Sequence, residues 1–176
     1  MHKAYDRVEW IFLRGILLRL GFDSDWVDLI MACVTSVRYQ VCLNHEFSDY
    51  IYPSRGLRQG DPLSPYLFLL CAEGLTSLLR HEEREGNLLG IKVCRDAPAV
   101  SHLLFADDSL ILMRADAQNA SSLRRALDDY CAASGQLVSE AKSSIFFSPT
   151  TDVNTRVVVC SVLNIMTEAM TDKYLG

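Results

Sequence analysis

The chain has 176 residues, 49% hydrophobic and 22% charged, which is ample apolar material for one packed domain, so it is expected to be globular. No apolar run reaches the roughly 18 to 20 residues of a bilayer crossing, and no basic stretch leads into an apolar segment at the start, so neither membrane nor secretion is expected. The net charge of −5 is the reverse of the basic footprint of a domain that grips nucleic acid by phosphate neutralisation alone; any such grip is expected to lie mostly elsewhere.

The first element expected is a helix over 6–20, opened by a capping box of Asp6 and Glu9, with Tyr5 and Trp10 as its hydrophobic staple and Gly21 as its stop. Asp23 and Ser24 precede a second helix through Trp26, Ile30 and Val34. Residues 39–43 and 50–52 are β-branched and aromatic, with 44–48 between them, which predicts a hairpin. After the turn-rich stretch 53–65, Ser64 and Pro65 form an N-cap and N1 pair. Leu67, Leu70, Cys71, Leu75, Leu78 and Leu79 then recur at helical spacing toward Gly86.

Residues 89–93 read as a strand, and the apolar runs 100–105 and 110–113 as a hairpin around the turn Ala106, Asp107, Asp108, Ser109. Leu123, Leu127, Tyr130 and Cys131 mark another amphipathic helix, stopped at Gly135, and 144–147 reads as a last strand. The six cysteines (Cys33, Cys42, Cys71, Cys94, Cys131, Cys160) lie far apart without zinc-ligand spacing and are expected to be reduced core residues. No repeat, linker or low-complexity tract divides the chain. The expectation is one α+β domain over 1–176.

Two segments carry candidate chemistry. Asp107 and Asp108 are adjacent carboxylates between apolar strands; at a turn one of them can be aimed at a site while the other points away. Magnesium takes oxygen ligands, usually one or two carboxylates plus waters and phosphates, and suits such a turn. Aspartates are also simply favoured in turns, and the pair alone leaves both readings open. The segment 55–65, RGLRQGDPLSP, has two glycines that permit close backbone approach and two prolines that stiffen its exit. It could be a rigid shelf against a nucleotide or an ordinary turn in which Asp61 or Ser64 caps a helix.

Residues 55–68 (RGLRQGDPLSPYLF) resemble motif B of LINE-type (non-LTR retrotransposon) reverse transcriptases, and Phe105-Ala106-Asp107-Asp108 resembles their motif C. Residues 1–10 (MHKAYDRVEW) look like motif A without its first residue, Ser134-Gly135-Gln136 through Lys142-Ser143 looks like motif D, and Lys173-Tyr174-Leu175-Gly176 looks like the start of the next motif. The order and spacing match along the whole chain, and QGDPLSP followed by FADD is a specific combination. The LLFADDSL run and Tyr66-Leu67-Phe68 look like plant versions.

The resemblance implies a polymerase palm, with a small antiparallel sheet packed on helices in a split βαβ-like arrangement and with fingers and thumb largely missing. It implies RNA-directed DNA polymerase activity in the intact protein, using two magnesium ions, with manganese as a substitute, on an RNA template, a DNA primer and a deoxynucleotide. Asp107 would be a metal ligand, Asp108 a supporting carboxylate at the same metal site, and Lys142 a proton donor toward pyrophosphate. Tyr5 would exclude a ribose 2′-hydroxyl by bulk, and Gln59, Gly60 and Phe105 would line the nucleotide.

The family pattern opens motif A with an aspartate, whereas this sequence starts at the following methionine; Asp6 matches the second aspartate and does not replace the first. Ser139 stands where the family commonly has asparagine. The expectation is therefore a fragment inactive alone, completed by fingers, thumb and a possible endonuclease region of the same polyprotein, within the nucleus or cytoplasm. The alternative is a non-catalytic, retrotransposon-derived remnant or binding module that keeps the fold.

Overall fold

The structure is a computed structural model and describes residues 3–168. It is built from α1 (Ala4–Arg7), α2 (Trp10–Arg19), α3 (Ser24–Thr35), β1 (Cys42–Leu43), β2 (Glu46–Phe47), α4 (Ser64–Arg84), β3 (His102–Phe105), β4 (Asp108–Ile111), α5 (Ala117–Ser134), a 3-10 turn (Glu140–Lys142) and α6 (Val153–Leu163). Among the described residues there are two antiparallel two-stranded sheets, β1–β2 and β3–β4, so the class is mixed helix and sheet as expected. No helix among the described residues is long and apolar enough to cross a membrane.

Helix α4 is the spine. Its first half, through Leu67, Phe68 and Cys71, joins Ala4, Val8, Leu13, Leu17, Val27, Ile30 and Leu57 in one core cluster. Its second half, through Leu75 and Leu79, joins Leu123, Ala126 and Tyr130 of α5 and Val159, Cys160 and Leu163 of α6 in another. The helical spacing read from the sequence is the stripe that meets both. Phe12 packs against both clusters and meets Tyr130 edge-on at 5.9 Å.

The single helix expected over 6–20 is broken. α1 ends at Arg7, Val8 and Glu9 are extended, and α2 starts at Trp10 without a side-chain cap. Asp6 caps nothing because it lies inside α1 and accepts a hydrogen bond from Gln59 Nε2 at 3.1 Å. The Glu9 backbone N–H goes to Ser134 O, so no capping box forms. Tyr5 and Trp10 do not staple together: Tyr5 stacks on Phe68, and the Trp10 indole N–H donates to Gly56 O.

Asp23 does cap α3, accepting from the Asp25 N–H, although Trp26 is partly exposed and stacks on Phe22. The first hairpin forms with a tighter turn than expected, at Asn44 and His45, both with positive φ, and with one further bridge between Tyr39 and Ile51. Ser64 is the first residue of α4 and not its cap; Asp61 instead accepts the Leu63 N–H.

The strands expected at 89–93 and 144–147 shrink to single bridges, Ile91 with Val100 and Ile145 with Glu168, because neither finds a second register position. α6 was not expected: Val157, Val158 and Val159 favour strand, but Asp152 caps the segment and its Val159–Cys160–Leu163 face packs on α5. All six cysteines are free, yet only Cys71 and Cys160 are buried; Cys33 on α3, Cys42 on β1 and Cys94 in the bend after Ile91 are exposed. Residues 173–176, read as the start of a further motif, lie outside the described residues.

Candidate active site

Strands β3 and β4 pair in register from His102 with Ile111 to Phe105 with Asp108, leaving Ala106 and Asp107 as a two-residue turn. The turn is tighter than the four residues expected, because Asp108 and Ser109 already pair with Phe105 and Leu104. Ala106 has φ 50, a left-handed conformation that costs a residue with a Cβ roughly 1 to 2 kcal/mol. That strain brings Asp107 to the apex while Asp108 opens the returning strand. Both carboxylates are exposed. Asp107 lines a small pocket with Phe68, Ala72, Ser109 and Tyr130, so this end of the hairpin sits on the first half of α4.

Tyr5 reaches the same place from the other side. Its half-buried ring stacks on Phe68 with centroids 4.9 Å apart and planes inclined by 19°. Phe68 therefore joins the Tyr5 ring to the pocket that Asp107 lines. The glycine-rich segment closes the third side: the Leu57 N–H donates to Tyr5 O at 2.7 Å and the Gly56 N–H to Val8 O at 2.8 Å. Gly56 has φ 92, and a Cβ there would stand 2.9 Å from Asp6 O, so the loop lies flush against α1 only because that residue is glycine. Gln59 and Gly60 follow, exposed, with Gln59 tied to Asp6.

Tyr5, Gln59, Gly60 and the Asp107 turn, distant in sequence, are thus gathered around the start of α4. Phe105 is exposed at the end of β3, paired with Asp108. Lys142 is exposed on the 3-10 turn after α5, an element linked to α5 by Arg124 and Glu140 at 3.9 Å, and the contacts that gather the other residues do not include it.

Tyr130, which lines the Asp107 pocket, and Cys71, whose carbonyl it meets, are both uncharged. Burial pushes the Cys71 thiol up to about 12, and burial likewise pushes the Tyr130 hydroxyl up, so both stay protonated. The Tyr130 hydroxyl donates to Cys71 O at 3.4 Å. Among the described residues no group of three or more His, Cys, Asp or Glu side chains could enclose a metal ion. Asp107 and Asp108 do not make an all-protein cage, so any ion held there would take most of its ligands from water and substrate phosphate.

Two contributors were not picked out from the sequence. Phe68 is one: it falls within the motif B resemblance, which assigns it no role. The Gly135–Gln136 corner is the other: the motif D resemblance includes both residues, but apart from the helix stop at Gly135 it assigns neither a role.

A hairpin presenting an aspartate pair beside a glycine-rich loop at the start of a buried helix is the kind of site a nucleotidyl-transferring polymerase uses. Residues 1–176 match the family model for reverse transcriptase (RNA-dependent DNA polymerase). The transposon TX1 149 kDa protein of Xenopus laevis is 30% identical over 142 residues, covering 81% of this chain and 10% of that protein. A Pol polyprotein from the type-1 retrotransposable element R2 of Popillia japonica is 29% identical over 123 residues, 70% of this chain and 19% of its own length. A mitochondrial protein of Arabidopsis thaliana is 59% identical over 59 residues, 34% of this chain and 48% of that protein, in keeping with the plant-like runs. The chain belongs to the reverse transcriptase family, as the domain found in non-LTR retrotransposon Pol proteins. Each match covers less than half of the relative's own length.

Proposed function

We propose that residues 1–176 are the palm of a LINE-type RNA-directed DNA polymerase, working within a longer protein. The reading is carried by one observation: Phe68 packs against the Tyr5 ring and also lines the pocket of Asp107, so a nucleotide at the turn would meet its sugar-facing and phosphate-facing groups together. The reaction joins a primer 3′-oxygen to the α-phosphorus of a deoxynucleotide as the bond to the pyrophosphate oxygen breaks. Divalent ions, when bound, supply charge for the nucleophile and the leaving group.

In this reading Asp107 holds the metal side of the nucleotide, and Asp108, one residue into β4, supports it at the same site. Tyr5 blocks a 2′-hydroxyl, while Gln59 and Gly60 line the new base pair and Phe105 flanks it from the hairpin. Lys142, exposed on its separate turn, donates a proton to departing pyrophosphate. An RNA template and a DNA primer are the partners this chemistry calls for.

Primer extension on an RNA template by the intact protein tests the reading. Asp107→Asn should lower the extension rate on the order of a thousandfold, the scale of losing a major electrostatic group. Extension within a few-fold of the parent would remove Asp107 from the ligand set.

A further inference from the structure

We propose that Gln136, backed by Gly135, is a positioning residue for Tyr5: the corner after α5 is one jaw of a clamp whose other jaw is the Gly56–Leu57 turn. Its functional consequence rests on the reading of Tyr5 as the sugar filter.

α1 has four residues, a single turn. Such a turn fixes many dihedrals for very few hydrogen bonds, so it cannot hold itself and its geometry must be imposed from outside. The imposition falls on the two peptide planes either side of the Tyr5 Cα. Gln136 Nε2 donates to Ala4 O at 2.8 Å, and the Leu57 N–H donates to Tyr5 O at 2.7 Å. Fixing both planes fixes φ and ψ at Tyr5, and with them the direction in which its side chain leaves the backbone.

The end of the turn is held in the same way. On the α5 side the Glu9 N–H donates to Ser134 O and Arg7 Nε to Gly135 O, both at 2.9 Å. On the other side Gly56 N–H holds Val8 O. Both jaws are bare backbone at closest approach. A Cβ on Gly135 would stand 2.5 Å from Arg7 O, as one on Gly56 would stand 2.9 Å from Asp6 O.

Gln136 is 1% exposed, and its Oε1 has no hydrogen-bond partner. An amide with half its capacity unmet is a costly way to fill space, since an apolar side chain of equal length would pack without that loss. Its structural contribution is the bond to Ala4 O. Gln136 is not among the residues around Asp107, so its effect reaches the site through the Ala4–Tyr5 peptide.

The experiment uses the intact reverse transcriptase with Gln136→Met, which keeps length and removes the donor. The preference for deoxynucleotide over ribonucleotide, as a ratio of kcat/KM, should fall about fivefold, the scale of one hydrogen bond, mainly through a lower ribonucleotide KM. The Leu57 amide should exchange faster with solvent. On a Tyr5→Ala background, where selectivity is already relaxed, Gln136→Met should add nothing.

Additive effects of the two changes, altered selectivity with unaltered Leu57 exchange, or unaltered selectivity where Tyr5→Ala does relax it, would each overturn the proposal. If exchange quickens while neither variant alters selectivity, the sugar-filter reading fails and the clamp stands. Should Gln136→Met not fold, Arg7→Leu, which releases only Gly135 O from the same jaw, decides: a smaller loss of selectivity supports the clamp, and none overturns it.

Discussion

Two residues show how pairing and packing force local backbone geometry. Ala106 takes a left-handed φ that its Cβ disfavours, and the hairpin holds it there because the register from His102 to Phe105 leaves only two residues for the turn. Gly135 has φ 75, and its Cα faces Arg7 O. Gly135→Ala should therefore destabilise the chain twice over, through the left-handed conformation and through the displaced Arg7 carbonyl, by about 3 kcal/mol or more. Urea unfolding of the purified chain measures this, and a loss below about 1 kcal/mol would mean that the corner shifts freely. The sequence marks Gly135 as a helix stop, which it is, and as part of the motif D resemblance. Its second duty, letting the backbone of one loop touch that of α1, depends on residues more than a hundred positions away and leaves no local signature.

At the scale of elements, what the sequence makes legible is what periodicity and local capping decide. α3, α4 and α5 follow their apolar stripes, and the hairpin around Asp107 follows its two apolar runs. The misreadings share a cause. The capping box at Asp6 and Glu9 is a sound local pattern, but Ser134 O and Gln59 take the groups that would have formed it, so tertiary bonds win and the helix breaks. α6 is hidden by its β-branched run in the same sense, with packing on α5 overriding propensity. The site follows suit: its aspartate turn and glycine loop stand out as motifs, whereas Phe68, at the end of the motif B resemblance, gains its role as the platform that joins them only when the fold places it.

Caps that do operate give testable losses. Asp116 accepts from the Asn119 N–H at 2.8 Å and from its side-chain amide at 2.9 Å, while Asn119 Oδ1 accepts from the Leu89 N–H at 2.6 Å. Asp116→Ala should cost about 1 to 2 kcal/mol, because it removes the α5 cap and loosens the anchor of Leu89. Thermal melting would reveal an unchanged midpoint if the cap is idle.

β3 adds a pH dependence. Burial pushes the His102 imidazole below its ordinary value of 6.5, with Glu83 and Glu73 opposing and Arg80 assisting; its ring nitrogen Nδ1 lies 2.7 Å from Ser101 Oγ. A base with a lowered folded value is neutral in the fold while the unfolded chain takes up a proton. Its contribution is thus fully present above the unfolded value and is lost as pH falls from there through the folded value. The urea midpoint should drop between pH 7.5 and pH 5, and His102→Gln should flatten part of that drop. An identical drop in the variant would assign it to other groups.

For the molecule as a whole, we propose from the balance of charge and of metal donors among the described residues that these 176 residues do not polymerise alone. Two-ion phosphoryl transfer needs carboxylates around both ions, and Asp107 and Asp108 are not joined into a group of three donors anywhere among the described residues. Asp6, the acidic residue beside Tyr5, is engaged with Gln59. The net charge of −5 opposes a template–primer duplex, so phosphate neutralisation supplies little affinity. Each deficiency acts on a different step, binding for the charge and chemistry for the donors. Raising the nucleic-acid concentration should therefore not rescue activity. Purified chain with an RNA template, DNA primer and either magnesium or manganese should yield no extension above an Asp107→Asn control across that titration. Template-dependent product that appears at high duplex concentration and vanishes in the control would show that the two aspartates suffice, and that weak binding was the only barrier.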